Sequence, residues 1–141
     1  MNYIALIPLI FVIYLLIIDF VDLYPFNDVT KHKPHDRKIE LVNYCLFSAV
    51  GVYSWLELPG YVWVSFILTC MLVVGYVFVW YVPYFRGHYS EYTRQEYEYS
   101  FSKTIKILPP IKDHPIPDLE HMFVGVFIVV WFVVTLLNIL G

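Results

Sequence analysis

Charged residues are scarce in this sequence of 141 residues: Asp, Glu, Lys and Arg make up 15%, whereas hydrophobic residues make up 60%. A soluble domain carries about 25% charged and about 45–50% apolar residues. A soluble fold of this size has too little interior for so many apolar side chains, so lipid must cover the excess. The net charge of −3 also excludes the basic surface that is typical of nucleic-acid-binding proteins.

Cysteine is rare as well, and its placement excludes two classes of protein. Cys45 and Cys70 both lie within apolar runs. A disulfide scaffold needs several cysteines in polar, loop-rich sequence, and no CxxC or Cys/His metal spacing is present. The two thiols are predicted to be free and buried, where they act as small hydrophobic groups.

Several catalytic and transport signatures are also missing. The chain has no GxSxG elbow and no glycine-rich phosphate loop. Its apolar runs contain no ionisable residue of the kind that carriers and pores place within the bilayer. Ser65, Thr69 and Gly75 instead predict close contact between helices.

The apolar runs predict an all-α integral membrane four-helix bundle, with residues 1–141 as a single membrane domain. The run 41–82 would be about 63 Å long as one helix, roughly twice the hydrocarbon thickness, so it must fold back at Pro59-Gly60. The predicted spans are about 3–20, 41–57, 61–82 and 121–140. No Lys or Arg precedes Lys31, which argues that the first run is a retained span and not a signal peptide.

Two polar loops, 21–40 and 83–120, separate the spans. In the second loop, Ser90 is a suitable N-cap for a short amphipathic helix lying in the headgroup layer; a tyrosine-rich loop packed on the bundle is the alternative. The proline-rich residues 107–117 predict an extended strap, because each proline pushes the preceding residue towards extended geometry. Asp118 is predicted to cap the last helix.

The distribution of basic residues predicts the orientation. All nine Lys and Arg residues lie in the two polar loops. Basic residues in short loops stay on the cytoplasmic side. We therefore expect a protein of the inner or plasma membrane, with both long loops in the cytoplasm and both termini outside.

A pattern that covers about a third of the chain, from Trp80 to Met122, resembles one found in small, uncharacterised multi-pass membrane proteins of bacteria. It consists of Trp80-Tyr81-x-Pro83-Tyr84-Phe85-x-Gly87, then Leu108-Pro109-Pro110, then Pro115-x-Pro117-Asp118-Leu119-x-His121. The resemblance implies a bacterial inner-membrane protein, and no activity comes with it.

One candidate site is a cluster of carboxylates and histidines at the inner membrane surface. Its predicted members all lie near the cytoplasmic ends of spans: Asp19, Asp22, His88, His114, Asp118 and His121. Carboxylates with imidazoles suit a divalent metal such as Zn²⁺ or Mn²⁺. The alternative is that these residues cap helices and stay hydrated at the interface. His32 and His35 lie in a basic loop and are predicted to be solvated.

A second candidate site is a surface for lipid headgroups or for a partner membrane protein. Its predicted members are Lys31, Lys33, Arg37, Lys38, Arg86 and Tyr92. Basic residues near an anionic leaflet each contribute about 1 kcal/mol, although the same residues also serve as a topology signal. The sequence thus predicts a non-enzymatic protein that binds lipid or a partner through its cytoplasmic face, with a metal-dependent enzyme or metal-binding protein as the alternative. Whether the protein is an enzyme, and its oligomeric state, are left open.

Overall fold

The computed structural model describes residues 2–141, apart from the side chains of residues 34 and 36. Within that range the chain folds into helices and contains no β-strand, as predicted. The helices are α1 (Tyr3–Phe20), α2 (Pro34–Trp55), α3 (Tyr61–Arg86), α4 (Glu91–Ser100) and α5 (Leu119–Leu140). A single 3₁₀ turn, Val29–Lys31, precedes α2, and Val77–Tyr81 form a π-helical stretch within α3.

The helix ends follow local capping rules. The Ser90 hydroxyl accepts a hydrogen bond from the Thr93 backbone N–H, and the Asp118 carboxylate accepts one from the His121 N–H. Both predicted caps are therefore confirmed. α2 begins at Pro34, ahead of the predicted membrane span 41–57, because proline at a first helical position loses no backbone hydrogen bond.

Three helices, α1, α3 and α5, are long and apolar enough to cross a membrane. α2 is not among them, because its first turns carry Arg37, Lys38 and Glu40. Its apolar residues 41–55 would extend roughly 22 Å, which is shorter than a hydrocarbon core of about 30 Å. The prediction of spanning helices is thus confirmed for three helices, and a crossing by α2 stays a prediction.

The core lies where α1 packs between α2 and α5. The Phe11 ring stacks between Phe47 at 5.4 Å and Phe127 at 5.1 Å, and Trp131 is fully buried beside them. Cys45 is free but exposed on the outer face of α2, which corrects the prediction that it is buried.

α3 packs against α5, and Ser65 and Thr69 of α3 are both fully buried, with Ser65 Oγ 3.2 Å from Ser54 Oγ of α2. Gly75 is not part of this contact, since a Cβ there would meet no atom within 4 Å. The close approach instead occurs at Gly125, where a Cβ would lie 2.5 Å from the Tyr76 ring.

The bundle has two distinct ends. At the hairpin end lie the 56–60 turn, Asn2 and the end of α5. At the pocket end, α1 and α3 end and α2 and α5 begin. α4 covers them together with residues 101–118, which include the predicted strap 107–117; we call the whole segment 101–118 the strap. The Tyr97 hydroxyl holds the strap by donating to the Ile116 carbonyl at 3.0 Å and accepting from the Ile116 N–H at 2.9 Å.

Candidate functional site

A polar cavity of about 240 Å³ lies at the pocket end, between α1, α2, α5 and the start of the strap. Aliphatic side chains form its floor, where Leu15, Ile18 and Val124 contribute. Its ionisable lining residues come from several separate parts of the chain: Asp19, Asp28, Lys31, His32, Glu40, Glu120 and His121. Tertiary packing therefore gathers acids and histidines that the sequence keeps far apart.

The first group of possible ligands consists of Asp19, His32 and Glu40. One ligand atom from each lies within 4.8 Å of the others. His32 Nδ1 lies 3.6 Å from Glu40 Oε1, and it is buried without a hydrogen bond among the described residues. Asp19 is buried at the last turn of α1, where the Tyr44 hydroxyl donates to its carboxylate. This group thus combines a shielded imidazole with two carboxylates.

The second group consists of Asp118, Glu120 and His121, whose ligand atoms also lie within 4.8 Å of one another. Asp118 is fully buried and accepts from the His121 backbone N–H at 3.0 Å and from the Thr104 hydroxyl at 2.8 Å. His121 Nδ1 lies 2.7 Å from Asp118 Oδ1. Burial opposes ionisation of Asp118, but the hydrogen bonds from His121 and Thr104 outweigh it and keep the pKa of this carboxyl below its ordinary value.

The Asp118–His121 pair matches the usual surroundings of a metal-binding histidine. Such a histidine donates one ring N–H to a carboxylate, which fixes its tautomer and leaves the other nitrogen for the metal. With Asp118 as the acceptor, Nδ1 carries a proton, and in the neutral ring Nε2 then keeps its lone pair for a metal. Asp118 then acts by positioning His121, because both of its oxygens are already occupied by the helix cap and by Thr104.

Glu120 is a buried acid whose side chain has no hydrogen-bond partner among the described residues. It is 6% exposed and lines the cavity. Among the described residues, no donor makes a hydrogen bond to its side-chain carboxylate. A buried carboxylate is costly unless a cation or hydrogen-bond donors compensate it. A bound cation in the cavity would supply that compensation.

Two tyrosines hold the first turn of α5 in place beside the cavity. The Tyr14 hydroxyl of α1 donates to the Glu120 carbonyl at 3.0 Å, and the Tyr76 hydroxyl of α3 donates to the His121 carbonyl at 2.9 Å. α1 and α3 therefore fix the position of Glu120 and His121 along the bundle axis, beside the pocket.

Of the six predicted metal ligands, Asp19 and His121 line this cavity, and Asp118 lies behind it, fully buried and hydrogen-bonded to His121. Asp22 is exposed, because α1 ends at Phe20 and the chain turns outward. His88 packs against the Tyr97 ring at 5.6 Å on the other side of α4. His114 Nδ1 is hydrogen-bonded to the Tyr84 carbonyl at 2.9 Å, so it stabilises the strap.

The sequence prediction missed three residues that the fold brings to the cavity: His32, Glu40 and Glu120. His32 is half-buried, not solvated as predicted. The one signal that could have found Glu120 is its position next to His121, two residues after the cap. His32 and Glu40 carry no local signal, because their contacts depend on how the first loop folds over α1.

The predicted lipid- and partner-binding residues divide into two sets. Lys31 and Lys33 hold the first loop against α4: Lys33 pairs with Glu96, and Lys31 Nζ lies 4.8 Å from the centre of the Tyr99 ring. Arg37 lies over the Phe20 ring at 5.6 Å. Lys38, Arg86 and Tyr92 are exposed, so a binding role for these three stays a prediction.

Comparison of the chain with protein-family models, curated proteins and solved structures gave no match. The resemblance to small multi-pass bacterial membrane proteins accordingly stays a prediction. The geometry of the pocket end therefore carries the functional argument.

Proposed function

We propose that this chain is a multi-pass membrane protein that binds a divalent metal ion in the cavity at its pocket end. The observation that carries the proposal is the buried Glu120 carboxylate, which has no donor among the described residues and lies beside two histidines and two further carboxylates. Glu120 and His121 are the proposed ligands from α5. Asp19, His32 and Glu40 are the proposed ligands from the opposite wall, and Asp118 positions His121.

Carboxylate and imidazole ligands favour Zn²⁺ or Mn²⁺ over the alkaline-earth ions. Two ligand atoms about 2.0–2.2 Å from one zinc ion lie about 3–4 Å apart. The spacing of up to 4.8 Å within each group thus requires only a small movement of side chains. The positive charge of the ion would offset the acidic lining.

The same site could also catalyse a metal-dependent hydrolysis. Where three of these five side chains coordinate a zinc ion, a fourth position remains for water or substrate, which is typical of catalytic zinc sites. A metal-bound water ionises near neutral pH. A metal-dependent hydrolytic enzyme of the membrane surface is therefore the activity that we propose for the site, in preference to a non-enzymatic role in binding a partner. Residues of the 83–121 segment, among them Thr104, Asp118 and His121, already serve to build the cavity.

The proposed membrane topology has α2 as a fourth crossing, with the pocket end in the cytoplasm. Its support is the location of all nine basic residues in the loops at that end.

Cysteine labelling tests this topology. Cys45 and Cys70 are replaced by Ala, and single cysteines are introduced by Lys38→Cys, Lys103→Cys or Glu57→Cys. A maleimide that cannot cross membranes should label residue 57 in intact cells and leave residues 38 and 103 unlabelled. Labelling of residues 38 and 103 from outside would reject the orientation.

Metal analysis of the purified protein tests the metal site directly. The protein is purified without a histidine tag, and bound zinc and manganese are measured by mass spectrometry. Asp19→Asn should lose metal, whereas Asp22→Asn, three residues further along and exposed, should keep it. A wild-type protein without metal after growth in zinc and manganese, or equal loss in the two variants, would reject the proposal.

A further inference from the structure

A second cavity lies on the opposite side of the α5 entrance, between the end of α3, α4 and the strap. It has a volume of about 550 Å³, within the range of about 300–1,000 Å³ that is typical of ligand sites. Its lining is mainly apolar and aromatic: Phe78, Val79, Trp80, Pro83, Tyr89, Tyr92, Tyr97, Phe101 and Pro115, with His88, Thr93 and Glu96. We call this cavity the groove.

The groove is continuous with the face of α3 that is directed towards lipid. Phe78 and Val79 form its mouth and are 59% and 62% exposed. Exposed apolar side chains precede them along α3 at Val64, Ile67, Met71 and Val74. Because α3 is long and apolar enough to cross a membrane, the mouth faces hydrocarbon at the level where the helix leaves the bilayer.

The charges near the groove also suit an apolar occupant. Glu96 is the carboxylate in its lining, and this carboxylate is paired with Lys33 from the first loop. The Tyr89 hydroxyl donates to the Phe78 carbonyl at 2.6 Å, so this polar group is also satisfied. Neither group requires a polar ligand, which distinguishes the groove from the acidic pocket.

Only one layer of aromatic rings separates the groove from the proposed metal site. Phe101 lines both cavities. The Trp80 ring lies 4.3 Å from the His121 ring and 5.4 Å from the Phe101 ring. A molecule in the groove would therefore lie one aromatic layer away from His121.

From this arrangement we infer that the groove binds one acyl chain of a membrane phospholipid, and that the phosphate of this lipid reaches the metal ion past Phe101 and Trp80. The apolar tail takes the groove, and the anionic oxygens complete the coordination of the cation. The part that concerns the phosphate rests on the proposed metal site. The part that concerns the acyl chain rests on the groove alone.

Photolabelling in nanodiscs tests the acyl-chain part. The full-length protein is reconstituted with phosphatidylglycerol that carries a diazirine in the middle of one acyl chain, and labelled peptides are mapped by mass spectrometry. We expect labelling of α4 residues that line the groove. Val79→Trp, which fills the mouth, should reduce this labelling severalfold. Val74→Trp, an equally lipid-exposed valine on the same helix, should leave it unchanged.

Bound Mn²⁺ tests the phosphate part in the same nanodiscs. It should accelerate the ³¹P relaxation of bound phospholipid in wild-type protein, and the effect should be lost in Val79→Trp while the manganese content stays the same. Labelling of α4 with no bound metal would reject the metal site and leave the acyl-chain part standing. Equal labelling in the two tryptophan variants, or crosslinks from α4 to a second copy of the chain, would overturn the groove inference even if metal is bound.

Discussion

The hairpin end and the pocket end differ in whether their polar side chains have hydrogen-bond partners. At the hairpin end, polar side chains bond to nearby carbonyls: the Asn2 amide donates to the Ser54 carbonyl at 2.7 Å, and the Tyr53 hydroxyl donates to the Pro59 carbonyl at 2.7 Å. At the pocket end, His32 Nδ1 is buried without a hydrogen bond among the described residues, and the Glu120 side chain, in a residue that is 6% exposed, accepts none from them.

This difference matters because buried polar groups without partners are rare in folded proteins. The other buried donor of this kind among the described residues is Trp131 Nε1, which lies alone in the apolar core. Glu120 and His32, in contrast, line one cavity together. A structural role explains the hydrogen bonds of the hairpin end, whereas the polar lining of the pocket end is what the proposed metal ion would satisfy.

The largest expected effect comes from removing a proposed ligand at the pocket end. Glu120→Gln should weaken metal binding by more than the roughly 10–100-fold that loss of an outer-shell partner costs, because a charged ligand is removed. Glu57→Gln at the hairpin end should have no effect. Isothermal titration with Zn²⁺ in detergent measures both variants. Chelation should lower the Tm of wild-type protein but not that of Glu120→Gln; equal affinities in the two variants would contradict the assignment.

The prediction with the next largest effect compares two helix caps. Asp118→Ala and Asn2→Ala each remove an N-cap, which costs about 1 kcal/mol of stability. Only Asp118→Ala should also reduce metal affinity, by roughly 10–100-fold, because Asp118 orients His121. Denaturation and metal titration on the same samples separate the two effects. If both variants bound metal like wild-type protein, Asp118 would be a cap and nothing more.

A smaller effect is expected from the glycine that lets Tyr76 reach the pocket end. In Gly125→Ala, the new Cβ would collide with the Tyr76 ring, and overpacking costs roughly 1–3 kcal/mol, offset by about 1 kcal/mol of helix propensity. Gly75→Ala meets no atom within 4 Å and should be neutral or slightly stabilising. Thermal unfolding in detergent measures both variants. Equal Tm values would show that the approach of α3 to α5 is looser than described.

The smallest effect concerns single tyrosine hydroxyls. Tyr14→Phe removes the hydrogen bond to the Glu120 carbonyl, and Tyr53→Phe removes the one to the Pro59 carbonyl. Each should cost about 0.5–1.5 kcal/mol of stability. Tyr14→Phe should additionally produce a modest weakening of metal binding, since Tyr14 fixes the position of Glu120. A metal affinity that falls equally in both variants would indicate general destabilisation.

Half of the candidate site was predictable, because the sequence indicates how deep in the membrane each residue lies. Asp19, Asp118 and His121 lie at the ends of apolar runs, so the sequence alone places them at one membrane surface. Such reasoning cannot tell which side of a helix end a residue faces. His88 lines the groove beyond the Trp80–Phe101 layer and packs on Tyr97, and His114 is hydrogen-bonded to the Tyr84 carbonyl.

The sequence by itself determined the all-helical class, three of the apolar helices, the caps at Ser90 and Asp118, and the confinement of all basic residues to two loops. These features depend on the order of neighbouring residues and on the exclusion of charge from lipid. Only the tertiary structure decided that His32 and Glu40 face Asp19, and that Glu120 is buried across from them. Such contacts join residues far apart in the chain, so they follow from how the helices and loops pack and not from any local pattern.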